Sequence, residues 1–353
     1  MDTRIVRLRE ILKKKGMDGA IIYKPENRRY ISGFTGSSGY AVITLEHAYF
    51  ITDFRYVEQA SKQCTEYEIL EYTNEKPLHA VLKGLPLKTL GFEEDFVTYA
   101  QYREFSEKLD DVKMLPLEGA ISTLRKIKYP DEIENIEKAA SIADDAFRYI
   151  CQYIKPGVTE REVALEIENF MKKKGAAGTS FESIVASGVR SSLPHGVASD
   201  KVIEEGDFVT LDFGCIYNGY CSDMTRTVVV GKASEKQKEI YCIVLEAQKQ
   251  ALEAIKPGVA GLEVDKVARD FIGEKGYGKY FGHGLGHGVG LEVHEAPRLS
   301  PLGHDLLQPG MVVTDEPGIY IPGFGGVRIE DLVLVTETGY KVLSQSPKEL
   351  IEL

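Results

Sequence analysis

Residues 154–175 read IKPGVTEREVALEIENFMKKKG, and residues 255–276 read IKPGVAGLEVDKVARDFIGEKG. Aligned at an offset of 101, ten of the 22 positions are identical, among them Pro156/Pro257, Gly157/Gly258 and Phe170/Phe271. Each copy opens with a Pro-Gly turn and continues with apolar residues at helical spacing, which predicts an amphipathic helix. Each is followed downstream by two strand-like runs. After the first copy come GDFVTLDFG (206–214) and GYCSDMTRTVVV (219–230); after the second come GMVVTDEPG (310–318) and GVRIEDLVLV (326–335). A repeat that extends over helix and strands points to a duplicated half, hence a pseudo-twofold domain whose sheet is backed by paired helices.

Upstream of the repeat, Ile133, Ile136, Ala140, Ala143, Phe147, Ile150 and Ile154 recur at three- and four-residue steps, which predicts one long amphipathic helix. Pro130 suits its first position, where a missing N–H costs nothing. Residues 1–122 read as a smaller α/β unit. Ile5, Leu8, Ile11 and Leu12 form a helical stripe ended by Gly16, and strands are expected at Gly19–Tyr23, Tyr40–Thr44, Ala48–Thr52 and Thr89–Phe92. Between them, GFTGSSG (33–39) is a loop by composition. The chain therefore reads as α+β with two domains, 1–122 and 123–353, in keeping with ~150 residues per domain for a length of 353.

The acids fall into register on the repeat. The offset that carries Gly206 onto Gly310 carries Asp212 onto Glu316, and the one that carries Gly219 onto Gly326 carries Asp223 onto Glu330. Each half thus supplies two acids, one from each of two adjacent strands, among neighbours such as Val209, Leu211, Val327 and Ile329. Carboxylates in a buried strand are costly unless paired or bound to a cation. Four converging across a twofold axis call for positive charge, and a dinuclear cation centre is the simplest source. The alternative is four unrelated surface acids, or buried salt bridges to Arg226 and Arg328.

Of seven histidines, His283, His287 and His294 lie within GHGLGHGVGLEVHE (282–295), and His195 lies in SSLPHG. The alternating glycines strip that segment of bulk and allow close backbone approach. At least one of these histidines is expected to join the acids as a metal ligand, with the others as supporting or acid/base groups. Oxygen-rich donors with a single imidazole suit manganese first, then cobalt, zinc or iron, and the reaction class that follows is metal-assisted hydrolysis.

The set Asp212, Asp223, His287, Glu316 and Glu330, with GHGLGHGVGLEVHE and VRIEDLV around it, resembles the metal ligands of the "pita-bread" metallopeptidases. These include methionine aminopeptidase, aminopeptidase P and prolidase. RRYISGFTGSSG and TDFRY (52–56) are similar to the N-terminal domain of the proline-specific branch, so the resemblance covers nearly the whole chain. It implies a pita-bread catalytic domain holding two divalent metal ions. Asp223 and Glu330 would bridge them, Asp212 would complete one shell, and His287 with Glu316 the other. It further implies attack by a metal-bridging hydroxide on the carbonyl preceding proline. His195 and His294 would stabilise the developing oxyanion, Glu316 would shuttle the proton, and Arg328 would orient the carboxylates. The substrate side is given to His283, Arg298 and Tyr320. Arg298 would face a dipeptide's carboxylate, a rim salt bridge being the alternative, and Tyr320 and Phe281 are candidate pocket walls, core packing being the reading that competes for each. The family also implies a homodimer in which Arg55 and Tyr56 reach toward the partner's site, a domain-core role being the alternative for both.

Aminopeptidase P, which takes longer substrates, shares this centre. A non-catalytic binding module would be marked by a broken ligand set, and creatinase by an absent metal centre; here all five positions are filled. The balance of 43 Lys+Arg against 54 Asp+Glu gives −11, which repels nucleic acid, so proline-containing peptides are the expected partners. No run of ~18 apolar residues offers a membrane span. Five cysteines without a CxxC pair point to a reducing, cytoplasmic setting.

Overall fold

The computed structural model describes residues 3–353. The chain divides into two compact units, Met1–Arg125 and Lys126–Leu353. The first is built on β1 (Gly19–Ile22), β2 (Tyr40–Thr44), β3 (Ala48–Thr52), β4 (Glu68–Glu71), β5 (Thr89–Phe92) and β6 (Lys113–Pro116), in the order β4-β3-β2-β1-β5-β6. β1 lies antiparallel to β2 and parallel to β5, so the sheet is mixed. Every residue of β1 and all but the first of β2 and β3 are buried, as expected for a sheet covered on both faces. The helices of this unit are α1 (Thr3–Lys15), α2 (Pro25–Ser32), α3 (Val57–Gln63), α4 (Leu78–Lys83), α5 (Tyr99–Lys108) and α6 (Ala120–Arg125).

The second unit opens with α7 (Pro130–Tyr153) and α8 (Glu160–Lys173), followed by β7 (Gly178–Thr179), β8 (Ile184–Ser187), β9 (Phe208–Phe213), β10 (Cys215–Tyr217), β11 (Tyr220–Cys221) and β12 (Met224–Val229). Then come α9 (Glu235–Ala254) and α10 (Gly261–Glu274). The last strands are β13 (Gly286–Gly288), β14 (Glu295–Leu299), β15 (Val312–Asp315), β16 (Gly318–Ile321), β17 (Gly325–Arg328), β18 (Asp331–Val335) and β19 (Tyr340–Val342).

The repeat is a repeat of structure. In the first half β8, β9 and β12 form an antiparallel ribbon; in the second, β13, β15 and β18 do the same, extended by β14 and β19. Each half has its own hydrophobic core. Ala143, Phe147, Ile150, Val163 and Ile167 of α7 and α8 pack on Val209, Leu211 and Val228; Val244, Ala251, Val264, Ala268 and Ile272 of α9 and α10 pack on Val313, Ile329 and Val333. Full burial of an Ile or Phe is worth about 1.5–3 kcal/mol, so these stripes hold the helices down.

The shared Pro-Gly turns explain the identity at those positions. Gly157 and Gly258 adopt φ of +98° and +85°, a region other residues enter only with strain. A carboxylate then starts each repeat helix. Glu162 Oε2 accepts from the Thr159 N–H at 2.7 Å, and Glu263 Oε2 accepts from the Ala260 N–H at 3.0 Å. The first half completes the box, since Thr159 Oγ1 accepts from the Glu162 N–H. The halves meet where residues 328–330 run beside β12: the Glu330 N–H donates to the Thr225 carbonyl (3.1 Å) and the Arg328 N–H to Thr227 Oγ1 (3.2 Å).

Candidate metal centre

The ends of the ribbons deliver the acids. Asp212 lies within β9, Asp223 directly precedes β12, Glu316 directly follows β15 and Glu330 directly precedes β18. The expectation of acids from within adjacent strands therefore needs correction: only Asp212 is inside a ladder, opposite Thr225, and the other three sit at strand ends. Within a ladder the alternation of side chains fixes which residue faces the centre, as it does for Asp212, whereas strand ends leave the backbone free to turn the other three acids toward it.

His287 comes from β13, where it is flanked by Gly286 and Gly288. A Cβ at Gly286 would fall 2.1 Å from the Thr314 carbonyl oxygen, and one at Gly288 2.3 Å from that of Ala296. Only glycine lets this strand lie so close to its two neighbours, and that closeness brings the imidazole to the acids. Asp223, His287 and Glu330 each present a ligand atom within 4.8 Å of the others'. His287 Nε2 lies 3.3 Å from Glu316 Oε1 and 3.6 Å from Asp223 Oδ2. Asp212 is tied through Oδ2 to Arg328 Nη2, while its buried Oδ1 has no hydrogen-bond partner among the described residues. The salt-bridge alternative thus holds in part: Arg328 does pair with Asp212, whereas Arg226 pairs with Asp331.

Burial pushes the carboxyls of Asp223 and Glu330 well above their ordinary range, and neighbouring acids push the same way. Asp212 is also raised by burial, with Arg328 opposing. Burial acts against charge on Glu316 and His287 too, but their mutual pairing wins. Glu316 falls to about 2 and His287 rises to about 9. In the protein alone, protons and one guanidinium hold apart carboxylates that a divalent cation would hold better. An Asp212 oxygen buried without a hydrogen-bond partner among the described residues, beside an oxygen-rich donor set with one imidazole, fits such an ion.

Arg328 organises the surroundings. Its Nε donates to Thr225 Oγ1 (3.0 Å), and that hydroxyl donates to Glu330 Oε2 (2.7 Å). Nη1 donates to Tyr320 Oη (2.7 Å) and to the Pro194 carbonyl (3.2 Å). Since Tyr320 Oη accepts from Arg328, its proton goes to His283 Nε2 at 2.8 Å. His283 Nδ1 then donates to the Gly284 carbonyl at 2.8 Å. Burial lowers the His283 pKa, consistent with this neutral tautomer.

His294 packs at a tilt against His287, ring centroids 4.3 Å apart. Burial, with help from the charge on His287, lowers its pKa. His195 is exposed in the loop after β8, next to the Pro194 carbonyl that Arg328 holds. Arg298 is exposed on β14 directly across the ladder from His287, so both side chains share a face. Phe281 belongs instead to the second-half core, with the Arg269 guanidinium 4.4 Å over its ring. In the first unit Arg55 forms a forked pair with Asp53 (2.8 and 2.9 Å), and Tyr56 Oη lies 2.6 Å from Ser37 Oγ.

Three participants were not anticipated from the sequence: the Pro194 carbonyl, Thr225 and Thr314. Thr314 Oγ1 donates to Glu316 Oε1 (3.1 Å) and accepts from the His287 N–H (3.0 Å). Thr225 stands two residues after Asp223 and Thr314 two before Glu316, so the two-residue period of a strand was the available signal.

Residues 134–337 match the model for Metallopeptidase family M24, and residues 4–127 match that for the Creatinase/Prolidase N-terminal domain. An Xaa-Pro dipeptidase of Pyrococcus furiosus is 45% identical over 353 residues, covering 99% of this chain and all of that one. Among solved structures, an Xaa-Pro dipeptidase from Bacillus anthracis superposes with a TM-score of 0.97 at 53% identity, covering 99% of each chain. An X-Pro aminopeptidase from Thermotoga maritima superposes at 0.92 with 41% identity, covering 98% of this chain and all of that one. The two-unit architecture is therefore the pita-bread domain preceded by its α/β partner.

Proposed function

The chain belongs to Metallopeptidase family M24, and on that premise we propose that it is an Xaa-Pro dipeptidase, hydrolysing the bond between an N-terminal residue and proline. The family makes it a divalent-metal-dependent hydrolase. In this reading two ions, manganese in the first instance, are held by Asp212, Asp223, His287, Glu316 and Glu330. The single observation that carries it is the convergence of Asp223, His287 and Glu330 within 4.8 Å in a buried, carboxylate-rich pocket. Bound metal supplies Lewis acidity and a water acidified enough to act as nucleophile near neutral pH.

The chain's own groups do the rest. Arg328 fixes Asp212 directly and Glu330 through Thr225, so two carboxylates are oriented before any substrate arrives. Glu316, held ionised by His287, can accept a proton and later return one to the proline nitrogen, which must leave protonated. His195 and His294 face the developing oxyanion as donors. Arg298 faces the dipeptide's carboxylate, while Tyr320 and His283, hydrogen-bonded to each other, form the wall behind it. The reading extends to a cytoplasmic homodimer that engages no nucleic acid. The five cysteines, all unpaired, support a reducing compartment.

The likeness to the Thermotoga maritima aminopeptidase favours a second reading, an exopeptidase for longer Xaa-Pro substrates. One manganese-loaded digest of an Xaa-Pro dipeptide mixed with an Xaa-Pro-Yaa tripeptide, read by mass spectrometry, separates the two. Loss of the dipeptide alone is expected. Loss of the tripeptide would transfer the chain to the aminopeptidase reading, and survival of both would sink the proline-peptidase assignment.

A further inference from the structure

Behind the candidate ligands lies a second buried set of charges. Asp315 and Asp331 oppose each other directly in the β15/β18 ladder, and both are fully buried. They are the chain neighbours of Glu316 and Glu330. Both aspartates turn to Gln248 of α9, the helix that backs this half, so this pair lies on the reverse side of the centre. Two carboxylates facing each other in an apolar sheet are destabilising unless something stands between them.

What stands between them comes from outside the sheet. Gln248 of α9 gives one amide hydrogen to Asp315 Oδ2 and the other to Asp331 Oδ2, each at 3.0 Å. The Lys348 ammonium donates to Gln248 Oε1 (2.9 Å) and to Asp331 Oδ2 (2.6 Å). Because Lys348 can only donate, it fixes which way the Gln248 amide faces. Arg226 Nη2 donates to Asp331 Oδ1 (2.8 Å) and to the Ser346 carbonyl (2.8 Å), and Nη1 donates to the Glu330 carbonyl. The segment carrying Lys348 is held in turn by Asp144 of α7, which accepts from the N–H groups of Gln345 (2.8 Å) and Ser346 (2.7 Å).

We infer that residues 344–348 act as a positioning strap for the metal centre, with Lys348 and Gln248 as positioning residues that fix Glu316 and Glu330 from behind through Asp315 and Asp331. The inference rests on the metal-centre reading above. Lys348 touches neither substrate nor metal. It acts by keeping two ligand-bearing backbone segments in register, so its loss is felt as loosened metal binding rather than as a changed reaction. Partners hydrogen-bonded to ligands contribute roughly 10- to 100-fold in metal affinity, and the lower end applies to Lys348 and Gln248, which reach Glu316 and Glu330 only through Asp315 and Asp331.

The test is cobalt(II) affinity by equilibrium dialysis, with the visible absorption spectrum of the bound ion, on the full chain. Lys348→Met keeps the side-chain stem and removes the charge; it should weaken cobalt binding by at least about 10-fold and alter the spectrum, while Lys348→Arg restores most of both. Gln248→Met cuts the same network from the helix side, carries the same expectation and serves if the Lys348→Met protein does not fold. A folded variant of either kind with the wild-type affinity and spectrum overturns the inference alone. Failure of the wild-type protein to bind cobalt or manganese would overturn the metal-centre reading itself.

Discussion

Asp223 has almost nothing to keep it ionised except a cation. Burial, Asp212 and Glu316 all oppose its charge, and the nearest opposing group is His287 at 3.6 Å. Asp212, by contrast, has the Arg328 guanidinium. Asp223→Asn should therefore be the most damaging conservative change in the site. The amide cannot supply a second anionic oxygen, and metal affinity is expected to fall by at least about 100-fold, beyond the usual cost of losing an outer partner. Metal content after dialysis and peptidase activity should fall together; a variant that keeps both removes Asp223 from the ligand set. At this scale the sequence was legible wherever the duplication put acids in matched places. It offered only a two-residue spacing for Thr225 and Thr314, which does not name their partners, and nothing for the Pro194 carbonyl, since a main-chain oxygen carries no mark. Arg226 and Arg328 look alike in the sequence, and only the packing shows that one serves Asp212 and the other Asp331.

The repeat helices were legible as elements because the Pro-Gly turn and apolar period survive in both copies. What differs between the copies is what each helix's first residue does. Glu160 opens α8 fully buried and ties both ends of the loop that carries His195. Its Oε1 accepts from the Ser187 N–H (2.7 Å) and hydroxyl (2.9 Å), and its Oε2 from the Ser199 N–H (3.0 Å) and hydroxyl (2.6 Å). The matching residue of α10 is Gly261, where a Cβ would fall 2.1 Å from the Arg298 carbonyl oxygen. The alignment records this as an ordinary mismatch, yet one copy clamps a loop and the other makes room for a strand. Glu160→Gln replaces one accepting oxygen by a donor that faces other donors. It should destabilise the protein by about 2–3 kcal/mol, measured by chemical denaturation. It should also speed tryptic cleavage at Arg190 and reduce turnover while metal content stays at the wild-type level. An unchanged digestion pattern would show that the loop holds its shape without the clamp.

For the molecule as a whole, the metal-free and metal-loaded proteins should respond to pH in different ways. Without metal, the Glu316–His287 pair contributes through both partners. Glu316 is lowered from 4.5 to about 2, so its share is present above about 4.5 and lost as pH falls toward 2. His287 is raised from 6.5 to about 9, so its share is present below about 6.5 and lost as pH rises through 9. Asp223 and Glu330 are raised well above their unfolded values, so they too favour the fold at low pH and oppose it as pH rises. Within the centre, Glu316 gains from alkali up to about pH 5, and His283 and His294, whose pKa values burial lowers, gain up to about 6.5. The stability of the metal-free protein should therefore peak on the acid side of neutrality and decline between pH 6.5 and 9. A bound divalent ion reverses the sign for the acids, since it binds their ionised forms and so binds better as protons leave. At 100 times its Kd an ion adds about 2.7 kcal/mol, so the gap between loaded and stripped protein should widen as pH rises. Thermal melts in chelator and in manganese at half-unit steps from pH 5 to 9 measure that gap. A gap that stays constant, or narrows toward pH 9, would mean that the carboxylates converging in this pocket are not what the ion binds.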